Sequence, residues 1–178
     1  MSVYLRIAAC VLTLVSNILS ATELDKQSVE TAKHFLTSYL TYTNTGNIDL
    51  LKLYSDTATI KVTVTTLDGA TKTSDFIGQQ WKQVLRDSWY KGKPAVEPIE
   101  LRNVSVKGVG ENLEVAAQRY TLDRCYFDGN YTMTIAKDGT GQYQIIKETL
   151  YIDHKNQCPP PDKMTIRQDI KINQNPLP

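Results

Sequence analysis

Two charged side chains occupy rows that are otherwise apolar. In Ile146, Glu148, Leu150 and Ile152 a carboxylate interrupts one face of an alternating stretch, and in Leu113, Val115, Ala117 and Arg119 a guanidinium ends another. A buried charge is costly unless a partner or hydrogen bonds compensate it. If both rows face inward, Arg119 and Glu148 line an interior and face each other, as a structural ion pair or as the polar anchors of a ligand. The competing parity turns these rows to solvent and makes Tyr143, Ile145, Lys147 and Tyr151 the inner set. Glu148 is the only acid-base candidate that this pattern singles out.

Other chemistry finds little footing. The chain has two histidines, His34 and His154, far apart, and lacks HExxH, CxxC, Walker and nucleophile-elbow patterns, so a metal centre and a cofactor are not expected. Asp56, in YSDTAT, sits at a helix-to-strand corner and reads as a turn residue. Asn103-Val104-Ser105 and Asn130-Tyr131-Thr132 fit the glycosylation sequon, which has meaning only in a eukaryotic secretory route.

The first twenty-odd residues differ from the rest. Arg6 is the only charge before Glu23, and Ile7 to Leu19 is mostly apolar, followed by the small residues Ser20 and Ala21. The run is shorter than the ~20 residues that span a bilayer and reads as a signal peptide over residues 1–21, giving a secreted or periplasmic protein. Lipidation at Cys10, within Ile7-Ala8-Ala9-Cys10, and an uncleaved anchor are the competing readings. No later stretch of the sequence is apolar enough to span a membrane. Of the 178 residues, 157 remain after residue 21, with 19 basic and 19 acidic side chains once Arg6 is removed. Without a basic field, nucleic-acid binding is not expected.

Export also frames the cysteines. The mature chain keeps Cys125 and Cys158, which an oxidising compartment would pair. A bridge would close a loop of about 33 residues and contribute about 3 to 4 kcal/mol on the chain-entropy estimate. The alternative, a nucleophilic thiol, needs a base, and His34 falls on the polar side of its helix while His154 lies in a polar run.

The elements that position these residues can be read in order. Gln27 to Thr41 is a helix with an apolar stripe of Val29, Ala32, Leu36 and Leu40, flanked by Phe35 and Tyr39. Gly46 ends it, and Asn47 caps a short second helix carrying Ile48, Leu50, Leu51 and Leu53. Thr57 to Thr66 alternates as a half-buried strand and turns at Asp68-Gly69. Ser74 or Asp75 is expected to cap a third helix with Ile77, Trp81, Val84, Leu85 and Trp89 on its buried side, stopped by Gly92 and Pro94. Four strands follow, Ile99 to Val106, Leu113 to Tyr126, Tyr131 to Lys137 and Gln142 to Ile152. They are linked by GVGEN and by hairpin turns at Asp128-Gly129 and Asp138-Gly139. The expected fold is α+β, with three N-terminal helices packed in a strongly curved antiparallel sheet. One domain covers residues 22–158; the tail, residues 159–178, adds an edge strand through Met164 to Ile172 or hangs free.

The order helix, glycine turn, short helix, strand, hairpin, helix and meander, with the segments TGNIDLLKLYSDTATIKV and GQYQIIKETLYI, resembles the nuclear transport factor 2-like superfamily, which includes ketosteroid isomerases and polyketide cyclases. The resemblance, over roughly Val29 to Asp153, implies a cystatin-like cone with a pocket. It places Tyr39 where the isomerases keep an enolate-binding tyrosine, and Val62 where they keep the proton-transferring aspartate. Valine cannot take a proton, so isomerase chemistry of that type is not expected. The pocket residues so implied are Tyr39, Val62, Arg119 and Glu148. Three functions stay open: a non-catalytic protein binding a small apolar or amphipathic molecule, an acid-base enzyme on such a molecule, and an interaction module that forms a homodimer or docks a partner through its sheet face or its tail.

Overall fold

The computed structural model describes residues 26–90 and 97–159. The segment read as a signal peptide, the expected helix stop at Gly92 and Pro94, and the edge strand expected through Met164 to Ile172 lie outside the described residues. Helix α1 covers residues 26–45 and buries Ala32, Phe35, Leu36, Tyr39 and Thr43, a stripe at helical spacing. It ends in a Schellman motif: Gly46, at φ 63°, donates its N–H to Thr43 O, and Asn47 N–H reaches Tyr42 O at 2.9 Å. Asn47 then caps a short 3-10 helix, Ile48–Leu53, by accepting the N–H of Asp49. This two-part corner turns the chain straight into strand β1, Tyr54–Thr65, with Tyr54 pointing inward.

The next element differs from the sequence reading. Thr71–Ile77 is strand β2, and helix α2, Gly78–Tyr90, starts three residues beyond Asp75. Ser74 and Asp75 are good helix caps locally, but the tight turn at Asp68-Gly69 brings this β-branched segment back along β1. There it gains a ladder from Thr59–Ile77 to Thr65–Thr71, with hydroxyl contacts Thr63–Thr73 and Thr65–Thr71 at 3.0 and 3.1 Å. Tertiary pairing outweighs a capping preference of about 1 kcal/mol. The described helices are therefore two long ones and one 3-10 turn, not three N-terminal helices. Trp81 and Leu85 of α2 are buried, whereas Val84, expected on the same stripe, is 40% exposed. Gly78 is required at the start of α2, because a Cβ there would lie 1.9 Å from the Ser55 carbonyl oxygen.

Strands β3 (Ile99–Val109), β4 (Asn112–Thr121), β5 (Tyr126–Lys137) and β6 (Tyr143–Asp153) complete a six-stranded sheet ordered β2-β1-β6-β5-β4-β3. All pairings are antiparallel except β1 with β6, which run parallel and close the long connection between the ends of the domain. The expected wholly antiparallel meander therefore holds only from β3 to β6. The turn at Asp128-Gly129 is also displaced: the β4–β5 turn lies at residues 122–125, and Gly129 sits inside β5, where Ala117 pairs with Tyr131 but Arg119 pairs with Asp128. Similar register shifts occur in β3 between Arg102 and Ser105, with Asn103 at φ 51°, and in β6 at Ile146. Bulges bend and coil the strands that carry them. They wrap the sheet around α1, which lies against a core of Leu50, Ile60, Met133, Ile135 and Ile145.

Candidate functional site

The bulge in β6 settles the parity of that strand, because one extra residue flips which face a side chain meets. Ile145 and Glu148, three residues apart, are both buried, and Leu150 follows inward. Each of the two alternative rows read from sequence is right on one side of Ile146. In β4, Leu113, Val115, Ala117, Arg119 and Thr121 all point inward without interruption.

Glu148 is 1% exposed, and its carboxylate is ringed by three phenols. Oε1 accepts the hydroxyls of Tyr39, from α1, at 3.0 Å and of Tyr131, from β5, at 2.7 Å. Oε2 accepts the hydroxyl of Tyr54, at the head of β1, at 2.7 Å. Burial pushes the Glu148 carboxyl above the ordinary carboxylate range, against the pull of the three phenols and of Arg119. The three tyrosines are held above their ordinary values, first by burial and next by the neighbouring carboxylate.

Beside this cluster is a cavity of about 40 Å³ lined by Tyr39, Thr43, Leu50, Tyr54, Trp81, Leu85, Arg119, Glu148 and Leu150. At roughly 10 to 15 Å³ for each water-sized occupant, it admits a group of about three heavy atoms. Two of its polar groups have no partner, Thr43 Oγ1 and Trp81 Nε1. The indole N–H lies beside the Tyr54 hydroxyl without hydrogen-bond geometry. Arg119 is 8% exposed and donates from Nη1 to the Tyr151 carbonyl at 3.3 Å. Burial opposes its charge, but the electrostatics of Tyr39, Tyr126, Tyr131 and Glu148 outweigh that and hold the guanidinium above its usual pKa. Across from it, Asp128 accepts the backbone N–H groups of Tyr151 at 2.7 Å and Asn130 at 3.0 Å, so its carboxylate serves the β5 bulge.

Of the residues expected in the pocket, the structure brings Tyr39, Arg119 and Glu148 together and leaves out Val62. Val62 pairs with Leu150 across β1 and β6 and is buried in the packed core, outside the cavity lining. Arg119 and Glu148 share the cavity but form no ion pair. The sequence reading missed Tyr54, Tyr131, Thr43 and Trp81. The available signal was chemical: a carboxyl placed on a buried row demands donors, and tyrosines at the head of β1 and on the inner row of β5 are the natural supply.

His34 is exposed on α1, and His154 Nδ1 meets Arg124 Nη1 at 3.0 Å, so neither lines the cavity. Cys125 and Cys158 form a disulfide with sequence separation 33. Asp56 pairs with Lys82 at 2.6 Å on the surface. Among the described residues no cluster of three or more His, Cys, Asp or Glu side chains is arranged to hold a metal, and no helix is long and apolar enough to cross a membrane.

No family model matches the sequence, and neither does any curated protein. Solved structures do. A nuclear transport factor 2-like protein of unknown function from Pseudomonas putida aligns at 15% identity with a TM-score of 0.51, covering 70% of this chain and 85% of its own. A protein assigned as the β subunit of an aromatic-ring-hydroxylating dioxygenase from Novosphingobium aromaticivorans aligns at 12% identity with a TM-score of 0.50, covering 75% and 92%. At such identities the likeness is one of fold, and by the curved sheet, the helix laid within it and these neighbours, the chain has the fold of the nuclear transport factor 2-like superfamily.

Proposed function

We propose that this is an exported, non-catalytic binding protein that takes the polar end of a small amphipathic molecule into its cone. The observation that carries the reading is the cavity against Glu148, a recess lined both by unpartnered polar groups, Thr43 Oγ1 and Trp81 Nε1, and by Leu50, Leu85 and Leu150. A recess of about 40 Å³ suits a head group and not a whole ligand, so the apolar remainder needs room that the buried Leu50, Leu85 and Leu150 must open. The absence of catalysis is supported by the chemistry of the two base positions. Val62 cannot accept a proton, and the Glu148 oxygens already accept three phenolic hydroxyls, which occupies them against a substrate. Incubating the protein with a metabolite extract and identifying by mass spectrometry what stays bound tests the reading. Recovery of an amphipathic small molecule, unchanged by the protein, is expected. Conversion of that molecule, abolished in a folded Glu148→Gln variant, would replace binding with acid-base catalysis.

A second reading, self-association through the outer face of the sheet, is favoured by one surface feature. Phe127 is 50% exposed and stacks on Tyr120 with ring centres 4.6 Å apart, and the Arg102 guanidinium lies 4.4 Å over Tyr120. A second copy of this chain is the occupant that such a ledge would take. Light scattering should then show a dimer that Phe127→Ser dissociates; a monomer at all concentrations removes this reading.

A further inference from the structure

Arg119 is exceptional among the arginines that the fold holds near carboxylates. Arg102 pairs with Glu100, and Arg124 pairs with Glu97; both are more exposed than Arg119. Arg119 is buried, yet among the described residues no carboxylate comes within the 4.0 Å of an ion pair, and its hydrogen bond is to a backbone carbonyl. Asp128, opposite it in register, is committed to two backbone N–H groups, and Glu148 to three phenols. A guanidinium taken out of water is strongly disfavoured unless neighbouring charge compensates it. Glu148 and the tyrosines do so from beyond ion-pair distance, while the direct hydrogen bond goes to the Tyr151 carbonyl and the planar fork suits an anion. The two unpartnered polar groups of the same cavity, the Thr43 hydroxyl and the Trp81 N–H, supply further donors.

We infer that Arg119, with Thr43 and Trp81, forms a carboxylate-binding subsite, and that the molecule taken up is a small amphipathic monocarboxylate, its apolar part admitted by outward movement of the buried Leu50, Leu85 and Leu150 that line the recess. This rests on the binding function proposed above and specifies its ligand. Size selects the head group: a carboxylate has three heavy atoms, as many as about 40 Å³ admits, whereas phosphate and sulfate have five. Charge selects it too. One guanidinium balances one negative charge, and its planar fork matches the two oxygens of a carboxylate. The Glu148 oxygens already accept three phenolic hydroxyls, so they are turned to the tyrosines and do not compete with an incoming anion for Arg119.

The test is calorimetric titration of the full chain with octanoate, 1-octanol and octylammonium, which share a tail and differ in the head. Octanoate should bind at least tenfold more tightly than octanol, with octylammonium weakest. Arg119→Gln should abolish the preference for octanoate, weakening octanoate at least tenfold more than octanol. Thr43→Val, which keeps the shape and removes the hydroxyl, should weaken octanoate severalfold more than octanol. If Arg119→Gln does not fold, as judged by circular dichroism and thermal melting, Thr43→Val and the wild-type rank order decide alone. Octanol or octylammonium binding as tightly as octanoate, or a preference untouched by the folded variants, overturns the subsite while amphiphile binding stands. Failure of all three probes, with phenylacetate and butanoate as shorter checks, overturns both the binding function and its ligand.

Discussion

Glu148 concentrates the polar energetics of the interior in one side chain. Replacing it with alanine strands three buried phenolic hydroxyls beside a void, and urea denaturation should show a loss of about 3 to 5 kcal/mol. Glu148→Gln keeps the shape and one acceptor and should cost only about 1 to 2 kcal/mol. The two variants also separate charge from packing. Folding raises the Glu148 pKa, so the native state holds that proton more tightly than the unfolded chain does. The stability this contributes is complete below the ordinary carboxylate pKa of about 4.3 and is lost as pH rises through the higher native value. The advantage of the wild type over Glu148→Gln, measured in urea from about pH 4 to about pH 8, should therefore shrink with rising pH. An advantage that grows with pH would show that the native carboxyl is ionised below its ordinary range. Acids of the opposite kind, such as Asp153, whose carboxyl is held low by the Lys155 backbone N–H, titrate in both proteins and cancel in the difference.

At the level of elements, the site is assembled by corners more than by the strands themselves. Asn44, near the end of α1, uses its side-chain amide to bond both backbone groups of Ile99 at 3.0 and 2.9 Å, fixing the helix carrying Tyr39 to the start of β3. Gly78 lets α2, with Trp81, approach β1 closely. Gly78→Ala should cost about 2 kcal/mol or more, since the obstructing atom is backbone and cannot swing aside. Gly129→Ala, also inside the domain but with nothing within 4 Å of the added methyl group, should stay within about 0.5 kcal/mol of wild type. Equal effects in thermal melts would remove the close approach at Gly78 as the cause. The bulges act the same way at longer range: the one at Ile146 brings Glu148 inward, and the one at Gly129 aligns Tyr131 with it.

For the whole molecule, the disulfide ties the segment after β6 to the β4–β5 turn, at the end of the cone where Arg124 also bonds Asp153 O at 2.9 Å. The paired Cys125→Ser and Cys158→Ser variant should lose about 3 kcal/mol in denaturant unfolding, on the chain-entropy estimate for this loop length. Thiol titration of the unreduced protein after residue 21 should find no free cysteine; two reactive thiols would contradict the bridge. The recess beside Arg119 and Glu148 lies in the interior, and Phe127 stands exposed on the outer face of the sheet.

Read alone, the sequence determines the parts whose signals are local. The stripe from Ala32 to Tyr39 makes α1, Gly46 and Asn47 make its corner, the alternation from Ala58 to Val64 makes β1, and Asp138 makes the last hairpin by accepting the N–H groups of Thr140 and Gln142. It also marks Arg119 and Glu148 as charges in apolar rows. The tertiary structure alone decides that Thr71–Ile77 is a strand, that Asp128-Gly129 is a bulge and not a turn, that Val62 leaves the cavity, and that Tyr39, Tyr54 and Tyr131 meet on one carboxyl. The physical reason is that a strand's facing has a period of two, so a single bulge reverses it, and bulges are stabilised by neighbours brought together from distant parts of the chain.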